Sequence, residues 1–120
     1  MGKMKMIYKV FFLLIAFALP SGGHASDDIQ RVESQHVCMI NNKHFGIPQI
    51  PVVVEGTTYY GCCPMCEAKL KASVQARIAA DPVSGNAIDK ASAVIGALTD
   101  GSVLYFENEE TFLEYKQQER

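Results

Sequence analysis

What this sequence most clearly lacks is positive charge in excess. Its 120 residues carry 11 Lys and Arg against 13 Asp and Glu. Beyond the first nine residues the basic side chains never cluster, which argues against nucleic acid as a partner, because that binding is driven by neutralising phosphates. A long apolar run is also missing. The main hydrophobic stretch, Val10 to Leu19, is 10 residues long, whereas a membrane-spanning helix needs about 20. Histidine is scarce, at 3 residues, and no serine stands in a nucleophile-elbow context. With no catalytic constellation in view, an enzyme is not expected. Cysteine is limited to 4 residues, all between positions 38 and 66.

The short apolar run follows Lys3, Lys5 and Lys9 and precedes Pro20, Gly22 and Gly23. A basic start, an apolar core and small residues at Gly23-His24-Ala25 are the pattern of a secretory signal peptide over 1–25, cleaved before Ser26. Cleavage there leaves 95 residues with eight basic and thirteen acidic side chains, a net charge of −5. The expected location is the periplasm, or the outside of the cell, with no stable membrane insertion after cleavage. A chain of that length supports one compact domain, or two small modules that each need a staple such as a disulfide or a metal.

Residues 26–35 read as a polar leader, loose or briefly helical. His36 to Ile40 is a short strand candidate, followed by turn residues at Asn41 to His44 and Gly46 to Gln49. "IPVVVEGTTYYGC" places β-branched and aromatic residues on both sides of Glu55-Gly56, which predicts a hairpin. Pro64 suits the first turn of a helix, so Cys63 falls at the N-cap and Cys66 within the first turn. The spacing of Cys66, Leu70, Val74 and Ile78 carries that helix to about Ala80. The pattern then recurs. "AVIGALTDGSVLYF" predicts a hairpin turning at Asp100-Gly101, and "NEETFLEYKQQ" predicts a helix capped by Asn108. Aligning Gly56 with Gly101 sets Tyr60 against Tyr105, Cys62 against Glu107 and Cys66 against Thr111, with Cys38 within one residue of Ser84. The expected fold is α+β, with two ββα units, a cysteine-containing one over 36–80 and a cysteine-free one over 81–120.

The cysteines carry the chemistry. A strand at Cys38 lying beside the turn into the helix would bring Cys38, Cys62 and Cys66 together, and a helix N-terminus favours thiolates, which bind metal or attack disulfides. Adjacent Cys62 and Cys63 point apart, so one of them belongs to the site and the other is auxiliary. A thiolate set, with Met39, Met65 and His36 nearby, suits copper(I) or zinc over calcium or magnesium. Zinc prefers four ligands, and Cys63 or His36 could supply the fourth. Met39 and Met65 are otherwise expected to be packing residues. Glu107, Glu109 and Glu110 are explained by helix-start electrostatics without any metal. Two alternatives stay open. Outside the cytoplasm four cysteines allow two disulfides, in three possible pairings, and Cys63-Pro64-Met65-Cys66 is a Cys-x-x-Cys of the kind thiol–disulfide exchange proteins use.

Cys38, then the hairpin ending in Tyr59-Tyr60, then Cys62-Cys63-Pro64-Met65-Cys66 at a helix start resembles the TRASH domain, a relative of the YHS domain. "DPVSG" and "YFENEET" in the second half are similar to a YHS domain without its cysteines. The resemblance covers about Val37 to Tyr115. It implies a treble-clef-like fold, Cys38, Cys62 and Cys66 as metal ligands, and a role in heavy-metal trafficking, resistance or sensing. The retained hairpin-helix pattern of the cysteine-free unit makes it either a surface for a protein that donates or accepts the metal or structural support for the first unit.

Overall fold

The computed structural model describes residues 28–118, so the expected signal peptide lies outside the described residues. The fold is α+β. Eleven short elements follow in chain order: β1 (Gln30–Val32), β2 (Val37–Cys38), β3 (Lys43–His44), β4 (Ile50–Val54), β5 (Thr57–Gly61), α1 (Pro64–Ala72), β6 (Ile78–Ala80), β7 (Ala87–Asp89), β8 (Val94–Ala97), β9 (Val103–Phe106) and α2 (Glu109–Gln118). Among the described residues no helix is long and apolar enough to cross a membrane.

Both main hairpins form where turn chemistry demands. Glu55 and Gly56 take φ of 49° and 85°, the pair of positive angles that matches the twist of a two-residue hairpin loop. They join β4 to β5 with Val52 opposite Tyr59. The second hairpin pairs β8 with β9, Ile95 opposite Tyr105. Each is followed by a helix: α1 has Cys63 at its N-cap and Pro64 at N1, and at the start of α2 the Asn108 side chain accepts from Thr111 N at 2.9 Å.

Two expectations change. The polar leader is an edge strand for most of its described part, with only Ser34 and Gln35 entering a 3-10 turn: β1 adds to the edge of the second hairpin, giving the order β1-β8-β9, with Arg31 opposite Gly96. Arg31 pairs there with Glu109 at the start of α2, and Ile29 is buried beside Phe106 and Phe112. The first helix stops at Ala72 rather than Ala80. Ser73 leaves the helix in extended conformation, and the Arg77 guanidinium donates to Leu70 O at 2.6 Å and Lys71 O at 3.5 Å, satisfying carbonyls that a continuing helix would have used. Val74 is exposed in consequence, and Ile78 to Ala80 form β6 instead.

The main core draws on both halves of the chain. Val37, Met39, Val52, Tyr59 and Leu70 pack with Ile95, Ala97, Val103 and Tyr105. The β2–β3 hairpin lies between the halves. Met39 N donates to Tyr60 O at 2.8 Å on one side, and on the other Val103 N donates to Asn42 O at 3.0 Å and His44 N to Gly101 O at 2.8 Å.

In the second half the buried carboxylate of Asp81, 1% exposed, ties the loop before β7 to the start of α2. Oδ1 accepts from Val83 N and Ser84 N at 2.7 and 3.1 Å. Oδ2 accepts from Glu107 N and the Thr111 hydroxyl, both at 2.7 Å. Glu107, Thr111 and Ser84 are the positions that the sequence alignment sets against or beside the cysteines, so a carboxylate joins the segments that thiols join in the first half. Burial alone would raise its pKa, but the four donors outweigh burial and hold it below the usual carboxylate value. Asp81 therefore contributes stability that is present above the unfolded-state pKa of about 3.9 and is lost as pH falls through the lower folded value. Asp81→Asn, which turns an amide N–H toward existing donors, is expected to cost about 3 kcal/mol at pH 7. Urea unfolding across pH should show the gap from wild type narrowing below about pH 4; a gap that stays constant would contradict this account.

Candidate metal centre

The site is assembled from three pieces of backbone. Cys38 ends β2, 0% exposed. Cys62 follows β5, and Cys66 sits in the first turn of α1, buried against the end of β5. The close approach depends on Gly61: a Cβ there would lie 2.9 Å from Cys66 Cβ. Any larger residue would push the helix start away from the strand that carries Cys62.

The sulfurs converge. Cys66 Sγ is 3.8 Å from Cys38 Sγ and 3.8 Å from Cys62 Sγ, and all three lie within 4.8 Å of one another. Metal–sulfur bonds of about 2.3 Å hold tetrahedral thiolates about 3.8 Å apart and trigonal ones about 4.0 Å apart. Cys38, Cys62 and Cys66 are thus close enough to hold a metal ion with little movement. Cys63 does not belong to this set, although its Sγ approaches Cys66 Sγ at 3.5 Å.

Neither histidine joins the cluster. His36 closes a 3-10 turn over Ser34–His36 rather than lying in a strand, so side-chain alternation does not carry it to the face of Cys38. Its ring sits 6.3 Å from that of His44. Met39 is a core residue at 0% exposed, as expected, whereas Met65, in the first turn of α1, is not a packing residue: it is 68% exposed. Glu107 accepts from the Asn86 amide and Glu109 pairs with Arg31. That accounts for these two acidic residues without a ligand.

Asn41 supports the sulfurs from the β2–β3 turn. Its backbone N–H donates to Cys38 Sγ and its side-chain amide to Cys62 Sγ, each at 3.4 Å. The thiols are unequal as a result. At Cys38 burial opposes ionisation, but the N–H groups of Asn41 and Ile40 and the Cys62 thiol outweigh it and lower the pKa. Cys62, donating to Cys38 and partly desolvated, is pushed up to about 12. Burial and the Cys63 thiol raise Cys66, while hydrogen bonds from Cys66 and Met65 at the helix start lower Cys63. The network thus favours charge at Cys38 and Cys63 over Cys62 and Cys66.

The surface around Cys62 is apolar and uncharged. Phe45, Ile47, Pro48, Gln49 and Ile50 line a groove of about 230 Å³ with it, and Phe45 and Ile47 are 46% and 62% exposed. Nothing in the sequence patterns singled this rim out, since 46–49 read as turn chemistry and Ile50 as the start of a hairpin strand.

Compared with known proteins, the chain matches no family model, no curated protein and no solved structure.

In reduced, metal-free protein at pH 7, iodoacetamide is expected to modify Cys63 first, because it combines a lowered pKa with partial exposure. Buried Cys38 and Cys66 should react last. Timed alkylation followed by peptide mass spectrometry checks the order, and early modification of Cys38 would mean that the hairpin opens in solution.

Proposed function

We infer that this protein is an exported soft-metal carrier whose Cys38, Cys62 and Cys66 bind a single ion, copper(I) in preference to zinc. The observation that supports this reading is the convergence of the three sulfurs at spacings that match metal–thiolate geometry. Three thiolates suit copper(I), while zinc in a structural site would call for a fourth ligand, which Cys63 is better placed to supply than His36. The likeness of the cysteine pattern to TRASH and YHS domains favours heavy-metal trafficking, resistance or sensing, and the leader favours the periplasm. Exposure of Cys62 beside an apolar rim suits handover to a donor or acceptor protein, whose ligand would add to the ion at that side.

A second reading has its own observation: Cys63 at the N-cap, 3.5 Å from Cys66, forms the near-bonding pair of a thiol–disulfide exchange motif. Intact mass with alkylation, together with elemental analysis of protein purified without added metal or reductant, separates the two. The metal reading expects about one equivalent of copper or zinc and thiols that alkylate only after chelation. It fails if reduced protein does not take up added Cu(I). Cys38→Ser and Cys66→Ser should each lower affinity on the order of a hundredfold or more, and Cys63→Ser by less than about tenfold. Were Cys63→Ser to abolish disulfide formation and leave no metal to be lost, the exchange reading would stand instead.

A further inference from the structure

Cys66 is the hub of the sulfur cluster, and its shortest contact lies outside the metal set. Its Sγ is 3.8 Å from Cys38 Sγ and from Cys62 Sγ, but 3.5 Å from Cys63 Sγ. Cys38, Cys62 and Cys66 form the group that could hold an ion, and Cys63 is not in it. The contact with Cys63 is local. Cys63 is the N-cap of α1, Pro64 follows at N1, and Cys66 lies within the same first turn, where side chains three positions apart are neighbours. Cys63 is partly exposed, whereas Cys66 is buried.

Cys63 therefore competes with an ion for Cys66. Disulfide sulfurs lie about 2.05 Å apart, so the pair would close by an approach of about 1.5 Å. Both residues belong to one helical turn, so neither the strand that carries Cys38 nor the end of β5 has to move. A sulfur committed to a disulfide carries no negative charge and cannot act as a thiolate ligand. Cys38 and Cys62 would remain, each held by an Asn41 N–H donor at 3.4 Å. The other pairings are less favoured. Cys38 and Cys66 are both buried, out of reach of an external disulfide, and Cys62 is exposed but farther from Cys66 than Cys63 is.

We propose that Cys63 is a redox switch on the metal centre: an external disulfide, RSSR, joins Cys63 to Cys66, withdraws Cys66 from the ligand set and so releases the ion. Cys63 loses its proton and its sulfur bonds to one sulfur of RSSR. The S–S bond of RSSR breaks, and the first RSH departs with that proton. Cys66, as the thiolate freed from the ion, then bonds to the Cys63 sulfur and displaces the second RS group, which takes a proton from water. Two protein sulfurs are oxidised by two electrons in all, RSSR is reduced to two RSH, and the ion keeps its oxidation state. Compartments outside the cytoplasm supply such disulfides. Because ion and disulfide compete for one sulfur, the coupling is reciprocal: oxidation weakens metal binding by the factor by which bound metal disfavours oxidation. The release of metal rests on the function proposed above; the pairing of Cys63 with Cys66 does not.

The test compares wild type with Cys63→Ser, in which serine remains a favourable N-cap. Each protein is treated anaerobically and metal-free with glutathione disulfide, then desalted. Peptide mass spectrometry maps the disulfides, and Cu(I) affinity is measured by competition with a chromophoric chelator against the same protein kept reduced. Wild type is expected to form mainly Cys63–Cys66 and to lose affinity on the order of a hundredfold, with full recovery after reduction. Oxidation of Cys63→Ser should cost less than about tenfold relative to its own reduced form. Loading wild type with one equivalent of Cu(I) beforehand should slow formation of the pair by about tenfold or more. If reduced wild type binds Cu(I), the switch alone is overturned by any of three results: no Cys63–Cys66 disulfide, a disulfide that leaves affinity unchanged, or a Cys63→Ser protein that loses as much affinity on oxidation as wild type. Reduced wild type that takes up no Cu(I) overturns the carrier, and the switch with it, even where Cys63–Cys66 forms.

Discussion

Insertion of the β2–β3 hairpin between the two halves of the chain is the constraint on which the rest of the structure depends. Val37, Cys38 and Met39 are all 0% exposed, so the residue that carries the buried thiol is flanked by core residues on both sides. Its backbone is tied to β5 through Met39 N, and to β9 and the turn before it through Asn42 O and His44 N. Displacing Cys38 therefore means breaking hydrogen bonds to both halves and opening the apolar core that they share. A ligand held in this way keeps its place without metal, which reduces the ordering entropy that metal binding would otherwise have to offset.

The same problem, fastening a short hairpin to the start of a helix in a chain too small for a large core, is met in two ways. In the second half Asp81 collects four donors from two segments, and its site is closed: the carboxylate is buried and each of its oxygens accepts two hydrogen bonds. In the first half the sulfurs of Cys38, Cys62 and Cys66 occupy the corresponding junction, joined by weak S–H contacts near 3.8 Å. A carboxylate makes a permanent fastening from the chain's own atoms. Thiols leave a junction that something else can complete, and only that half has the chemistry to exchange what completes it.

Much of this was legible in the sequence where local chemistry decides structure. Glu55-Gly56 and Asp100-Gly101 marked both hairpin turns, Pro64 marked the start of α1, and Asn108 capped α2. Grouping Cys38 with Cys62 and Cys66 needed only the assumption that Cys38 lies beside the turn into the helix. What was not legible depends on partners far along the chain. Nothing local in Ile29 to Val32 announces a strand, because β1 exists only as an edge added to β8, more than sixty residues away. The spacing of Val74 and Ile78 continued a helical stripe, but the Arg77 guanidinium ended the helix by capping Leu70 and Lys71. Nothing local in "NAIDKAS" marks Lys90 as buried, since a buried lysine is rare and only the folded hairpin brings Met39 O to its ammonium. The fold class followed from patterns of ten residues or fewer, while the surroundings of the site followed from contacts across the whole chain.

The uneven exposure of the three thiols bears on what the centre could do with an ion. Cys38 and Cys66 are buried and fixed by the core and by the close packing of Gly61 against α1, so they would retain an ion during exchange. Cys62 faces solvent beside Phe45, Ile47 and Ile50, and it is the thiol whose proton is hardest to remove. The thiol that is most costly to ionise is also the most accessible, which makes it the one an incoming thiol would displace, the incoming thiol losing its proton as its sulfur binds while the departing Cys62 takes one up. A junction built for permanence is buried throughout, as the carboxylate of Asp81 is, whereas here one thiol of the three stays exposed. On the carrier reading, exchange would begin at exposed Cys62 while buried Cys38 and Cys66 hold the ion, so ligand depth within a single turn of helix and one hairpin decides which bond opens first.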